Sequence, residues 1–215
     1  MSYPPSPVDD MRYGIVLGGG RSSRMGTDKL ELRRDGQTLL QQVVEAALGC
    51  CGLVMVASPH RLGFDDPRVA FAVEDPPFGG PAAGLAAAVA ELPPAPPEGG
   101  EAEVLLLAGD LAFADEVVGL LLAAELGPDG VVLMDSEGWS QYLAARYRLL
   151  ALRRTLQGQR NCRDKSIRRV LGDLNLARIE VSNSVIIDLD TPKIARECGF
   201  GVQVDSVDEE SLKGA

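Results

Sequence analysis

The stretch Tyr13-Gly14-Ile15-Val16-Leu17-Gly18-Gly19-Gly20-Arg21-Ser22-Ser23-Arg24-Met25-Gly26-Thr27-Asp28-Lys29 decides how the chain is read. A short apolar run, as expected of a buried strand, stops in successive glycines and then in cations. Backbone without side chains can lie close against an anion with its N–H groups turned inward, and Arg21, Arg24 and Lys29 supply the countercharge that a polyphosphate needs. The segment predicts a strand that feeds a phosphate cradle. Two commoner glycine motifs do not fit. A Walker-type loop fails because Thr27-Asp28 intervenes before Lys29 and the Gly20 to Gly26 spacing is one residue too long. A dinucleotide fingerprint begun at Gly18 would need its last glycine where Ser23 stands, and it uses far less positive charge.

Outward from the cradle, strand and helix alternate. Thr38 with Gln41 forms a capping box, and Leu39, Leu40, Val43, Val44 and Ala47 recur at helical spacing. Leu53 to Ala57, Val69 to Val73, Val104 to Leu107 and Val131 to Met134 are almost wholly apolar, the pattern of strands covered on both faces. Helical stretches near Ala82 to Leu92 and Asp115 to Leu126 separate them. The expected architecture is a three-layer α/β/α, Rossmann-like sandwich around a mainly parallel sheet. Pro93 to Gly100 reads as an exposed loop, since the alternation continues beyond it.

Composition sets the bounds. With 215 residues, 46% hydrophobic and 24% charged, the chain can build one substantial core, so the expected organisation is a flexible tail over 1–10 and a single domain over 11–215. A net charge of -10 argues against a nucleic-acid footprint, and any anionic substrate must be held by local clusters of cations. Met1 to Asp10 has neither the basic start nor the apolar centre of a secretory signal, and the apolar runs fall well short of the roughly 18 residues of a spanning helix. A cytoplasmic protein without membrane partners is expected. Cys50, Cys51, Cys162 and Cys198 show no C-x-x-C spacing, and His60 is the only histidine. Neither a thiol metal site nor histidine-based acid–base chemistry is indicated.

In open α/β sheets ligands lie beyond the carboxyl ends of the strands. There the chain turns polar. The third apolar run ends in Glu74-Asp75 and a loop through Gly79-Gly80-Pro81 that opens a helix, an arrangement that offers backbone to a ligand. The fourth ends in Gly109-Asp110. A carboxylate at the end of a buried strand is costly unless it is paired or ligates a cation, and magnesium favours one or two carboxylates completed by substrate phosphates.

The opening segment resembles the L-A-G-G-x-S-x-R-M-G-x-D-K signature of nucleotidyltransferases, most closely the molybdenum cofactor guanylyltransferases, with Gly18 where alanine is usual. Asp75 and Gly80-Pro81-Ala82-Ala83-Gly84 are similar to the element by which that family holds guanosine. Gly109-Asp110-Leu111-Ala112 keeps the metal-binding aspartate of the C-D-x-P motif and loses its cysteine and proline. Asp188-Leu189-Asp190-Thr191-Pro192 resembles the family's N-x-N-T-P element; a helix N-cap with Pro192 in the first turn is at least half of its expected role. Gln141, after Asp135 to Ser140, is similar to the glutamine on the acceptor side, and the cations from Arg153 to Arg169 hint at an anionic substrate or a protein partner.

The resemblance implies magnesium-dependent transfer of GMP from GTP to molybdopterin, with or without molybdenum, and release of pyrophosphate. Arg24, Lys29 and Asp110 are the expected catalytic residues. Leu17, Gly18, Gly19, Gly20, Lys29, Asp75, Gly80 and Asp110 would bind nucleotide, and Asp110 with Asp190 the metal. Molybdoenzyme maturation proteins are implied as partners. The alternatives are a cytidylyltransferase on the same pterin, a sugar-phosphate or isoprenoid nucleotidyltransferase, and a catalytically retired nucleotide-binding regulator or chaperone of cofactor insertion.

Overall fold

The computed structural model describes residues 9–18, 29–58, 63–94, 101–187, 189 and 191–201. The opening apolar run is β1 (Asp9–Leu17), with Ile15 and Val16 fully buried. Lys29–Glu31 forms a single 3-10 turn. A small hairpin follows, β2 (Arg33–Arg34) and β3 (Gln37–Thr38). Its turn is Asp35-Gly36, with φ of 56° and 83°, the left-handed pair that an Asp-Gly hairpin adopts at low cost.

Thr38 then starts α1 (Leu39–Leu48) with the expected box: the Gln41 N–H donates to Thr38 Oγ1 at 3.2 Å, and the Thr38 N–H donates to Gln41 Oε1 at 2.8 Å. The chain continues through β4 (Cys51–Ala57), β5 (Val69–Ala72), α2 (Pro81–Glu91), β6 (Glu103–Ala108), α3 (Ala114–Ala123) and β7 (Gly130–Met134). It ends in β8 (Ser140–Arg148), α4 (Leu149–Gln157), α5 (Ile167–Leu171), β9 (Leu176–Glu180) and α6 (Pro192–Glu197).

Seven strands form one sheet in the order β5-β4-β1-β6-β8-β7-β9. All neighbours are parallel except β8, which runs antiparallel to both β6 and β7. One face packs on α2, α4 and α5 through Leu85, Leu152 and Val170, and the other on α1 and α3 through Val43 and Val117, which gives the expected three layers. A separate small core joins Leu32, Leu39, Ala112, Leu189, Ala195 and Phe200.

Two strands of the seven-stranded sheet escape the apolar-run criterion. β8 carries Arg146 and Arg148, whose guanidiniums meet Glu103 and Glu101 beside the start of β6, so its charges are balanced within the sheet. β9 is an edge strand whose side chains alternate between shielded and exposed. Helix α3 stops at Ala123, short of the expected Leu126. Ala124 is extended, and its carbonyl accepts from Arg146 Nη2 at 2.6 Å, so the strand's arginine takes a helix-end acceptor.

From β1 the sheet grows one way, through β4 to β5, and from β6 the other way. The reversal lies between β1 and β6, the place where ligands of open α/β sheets bind.

Candidate nucleotide and acceptor site

At the reversal the backbones of three strands close on one another. The Gly18 N–H donates to Ala57 O and the Gly109 N–H to Leu17 O, both at 3.0 Å. A Cβ on Gly109 would stand 3.0 Å from Leu17 O and from Leu40 Cδ1, and 3.2 Å from Gly18 Cα. On Gly18 it would stand 3.2 Å from Leu40 Cδ2. Leu40 is fully buried and fills the volume that side chains at both positions would otherwise take. The glycines at 18 and 109, where the resembled motifs carry alanine and cysteine, therefore have a single packing cause. Of the cradle that follows, Gly19, Gly20, Arg21 and Arg24 lie outside the described residues. Lys29 re-enters at the 3-10 turn, three residues before buried Leu32.

Asp110 follows Gly109 in the turn after β6 and is partly shielded. Two residues on, Ala112 is buried in the same small core as Leu189, which separates Asp188 from Asp190 in sequence. Apolar burial thus gathers the Asp110 turn and the Leu189 segment. Asp190 itself lies outside the described residues. Beyond it the expected cap is present: the Ile194 N–H donates to Thr191 Oγ1 at 3.2 Å, with Pro192 in the first turn. The carboxylate of Asp110 is the kind of oxygen donor that suits a hard divalent cation. Among the described residues no group of three or more His, Cys, Asp or Glu could hold a metal.

Glu74 and Asp75 divide their roles. Glu74 Oε1 accepts from the Gly79 N–H at 3.0 Å and so closes its own loop, whereas Asp75 is exposed. Gly79 must be small, because a Cβ there would lie 2.8 Å from Ala83 Cβ. Gly80 has φ of 86°, the left-handed region that favours glycine, and its carbonyl accepts from the Ala83 and Gly84 N–H groups at the start of α2. Phe78, 62% exposed, holds φ of 64° at the loop tip.

Because β7 and β9 run in the same direction as β6, the β7–β8 turn opens on the same sheet edge. Asp135 organises it. Its Oδ1 accepts from the Glu137 and Trp139 N–H groups at 3.0 and 2.8 Å, and its Oδ2 from Gln141 Nε2 at 2.9 Å. Gln141 is therefore tied to the turn. Trp139 is 51% exposed, with the Arg168 guanidinium 4.6 Å from its ring centroid, and Arg178 Nε donates to Ser140 Oγ at 3.4 Å. Trp139, Tyr142, Met134, Arg168 and Arg178 line an open cavity of about 420 Å³. A flat aromatic face between cations is a surface for a planar anionic molecule. Sequence reading passed over Arg178; its trace is the alternation of Leu176-Ala177-Arg178-Ile179-Glu180, a weak edge-strand pattern that places the arginine on one face.

Comparison with known proteins gives the family. A model of the MobA-like NTP transferase domain matches residues 14–178. Rv0371c from Mycobacterium tuberculosis H37Rv superposes with a TM-score of 0.63 at 20% identity, over 87% of this chain and 97% of that one. The molybdopterin-guanine dinucleotide biosynthesis protein A of Archaeoglobus fulgidus superposes with a TM-score of 0.53 at 17% identity, over 87% and 96%. A manganese complex of Rv0371c superposes with a TM-score of 0.55 at 18% identity, over 88% and 98%. At these identities the likeness is one of fold. No curated protein matches by sequence. The family model spans well over half of the chain, from β1 into β9, and on that match the chain belongs to the MobA-like NTP transferase family.

Proposed function

We propose that this chain transfers the GMP of GTP to the terminal phosphate of molybdopterin. The observation that carries the reading is the convergence on one sheet edge of Gly18 at the end of β1, the Asp110 turn, the Gly80-Pro81 entry of α2 and the Trp139–Arg168 cavity. One oxygen of the acceptor phosphate forms the new bond to the α-phosphorus of GTP, the bond to the β-phosphate oxygen breaks, and pyrophosphate leaves with that electron pair. A phosphate monoester has a second pKa of about 6, so the attacking oxygen is already ionised near neutral pH and no strong general base is needed. This suits a chain with one histidine.

What remains for the protein is to bring two anions together. The backbone N–H groups of Gly19 and Gly20, with Arg24 and Lys29, neutralise charge on the triphosphate; Leu17 and Gly18, whose own N–H is taken by Ala57 O, fix the loop's origin, and Asp75 and Gly80 receive the nucleoside. Asp110 and Asp190 would hold a magnesium or manganese ion, whose charge offsets that of the phosphates; the manganese bound by a structural neighbour supports such an ion. Trp139, Arg168 and Arg178 receive the acceptor. The reading extends to a cytoplasmic, single-domain enzyme over 11–215 that passes its product to molybdoenzyme maturation proteins.

Guanine presents adjacent N1–H and 2-amino donors, which a carboxylate accepts well, whereas cytosine presents an acceptor beside its amino group. Exposed Asp75 favours guanine. The test is an incubation with GTP, CTP, magnesium and purified molybdopterin, followed by mass analysis: the guanine dinucleotide is expected, the cytosine product would move the chain to the cytidylyl reading, and no product with either would favour the binding-protein reading.

A further inference from the structure

The loop from Glu74 to Gly80 has a problem that its own sequence cannot solve. Pro76 and Pro77 have no N–H, and Phe78 sits in the left-handed region, so the loop makes few backbone hydrogen bonds of its own. The connection between α4 and α5 supplies them. Arg163 Nη1 donates to Pro76 O at 2.7 Å, Arg163 Nη2 donates to Pro77 O at 3.3 Å, and the Asp164 N–H donates to Gly79 O at 2.8 Å. Asp164 adopts φ of 57° as it does so. The stem of Arg163 crosses Gly79 so closely that a Cβ there would stand 3.3 Å from Arg163 Cγ and 3.0 Å from Nη1. Three carbonyls of one loop are thus held by two residues far away in sequence.

We propose that Arg163 is a positioning residue for base recognition: its guanidinium fork fixes the loop that presents Asp75 and Gly80 to the nucleoside, so it governs the affinity and base selectivity of nucleotide binding and not the binding of acceptor. The proposal rests on the guanylyl-transfer reading above. Selecting guanine requires its hydrogen-bonding partners to be held to a fraction of an ångström, and a proline-rich loop cannot hold that position with its own backbone. Arginine's planar fork can satisfy two carbonyls at once, whereas a lysine ammonium on a flexible stem serves as a point donor. Although Arg163 belongs to the basic stretch that reads in sequence as an acceptor or partner surface, both of its terminal nitrogens are directed to the nucleotide side.

The experiment compares wild type, Arg163→Ala and Arg163→Lys by calorimetry with GTP and CTP in the presence of magnesium, and by steady-state kinetics with molybdopterin. For Arg163→Ala the KM for GTP should rise about 10-fold and the GTP-over-CTP preference should fall by a similar factor, with the acceptor KM within about twofold. Arg163→Lys, which keeps the stem over Gly79 and restores one donor, should fall between the two, and it carries the test if the alanine variant is poorly folded. Unchanged GTP affinity and selectivity in a folded variant would overturn the proposal, and so would an equal rise in both KM values. Failure of wild type to bind GTP would overturn the guanylyl-transfer reading itself, a result distinct from wild-type binding that Arg163→Ala leaves unaltered.

Discussion

The two ends of β6 carry carboxylates in different surroundings. At its start, Glu103 accepts from Arg12 Nε at 3.1 Å and from Arg146 Nη1 at 3.3 Å, and Arg148 pairs with Glu101 nearby. Arg12 also reaches Cys50 O and Arg146 reaches Ala124 O, so this edge is sealed across four elements by charge and hydrogen bonds. Burial lowers the pKa of Arg146 from its ordinary value, and Glu103 opposes that shift. At the other end the strand runs into Gly109-Asp110, where buried Gly109 brings its backbone close against Leu17 and Gly18. The difference lies in the surroundings: guanidiniums fixed by the fold make Glu103 structural, whereas Asp110 stands at the sheet reversal, where the function proposed above gives its charge to a metal ion.

That contrast can be broken most decisively at Asp110. Asp110→Asn keeps the size and removes the charge, and turnover should fall by about 10³-fold or more while the melting temperature changes little. Pyrophosphate release at saturating magnesium and a thermal melt check both halves. Activity within a few-fold of wild type would put Asp110 in the same class as Glu103. Next comes Lys29→Ala, where a loss on the order of 10²-fold in kcat is expected if its charge acts mainly in the transition state. Unchanged single-turnover rates would remove Lys29 from the catalytic residues.

At the sealed end the effect moves from rate to stability. Glu103→Ala leaves the Arg146 guanidinium buried without its carboxylate; a fully buried pair so broken costs about 3–5 kcal/mol, and with 20% of the Glu103 side chain exposed the expected cost is about 2 kcal/mol. Denaturant unfolding should register it while activity per folded molecule stays within about twofold; a loss of rate without a loss of stability would reverse the comparison. The smallest effect is expected at Trp139. Removing its ring in Trp139→Ala takes away the partner of Arg168, which should raise the acceptor KM about fivefold and leave the GTP KM unchanged. A shift in the GTP value instead would detach the cavity from the acceptor.

Much of this was legible in sequence wherever one physical signal dominated. Buried strands are continuous apolar runs, which locates β4, β6 and β7; β5 is equally apolar but lies half-buried at the sheet edge and ends at Ala72, leaving Val73 exposed, and the Thr38–Gln41 box fixes the start of α1. β8 was missed because Arg146 and Arg148 interrupt its apolar character, and their partners Glu103 and Glu101 are distant in sequence. The β2–β3 hairpin did carry a readable signal, Asp35-Gly36, but its strands are too short to show alternation. In the site, Asp110, Leu17, Gly18, Asp75 and Gly80 stand on the expected edge because strand ends are predictable from where apolar runs stop. Arg163 was not, since its role depends on carbonyls of prolines in another loop. The compensation by Leu40 was likewise hidden: nothing in the helix pattern says which leucine turns toward two glycines.

The antiparallel β8 also bears on how the molecule is made. As the chain leaves the ribosome, β1, β4, β5 and β6 can pair as soon as residue 108 has emerged, since each has at least one neighbour among residues already synthesised. β7 has no such neighbour. It pairs only with β8 and β9, so residues 130–134 wait unpaired until β8 arrives to bridge them to β6. A nascent chain stalled between residues 134 and 140 would therefore expose an apolar strand beside an open sheet edge, the interval at which a chaperone or an aggregating neighbour competes with native pairing.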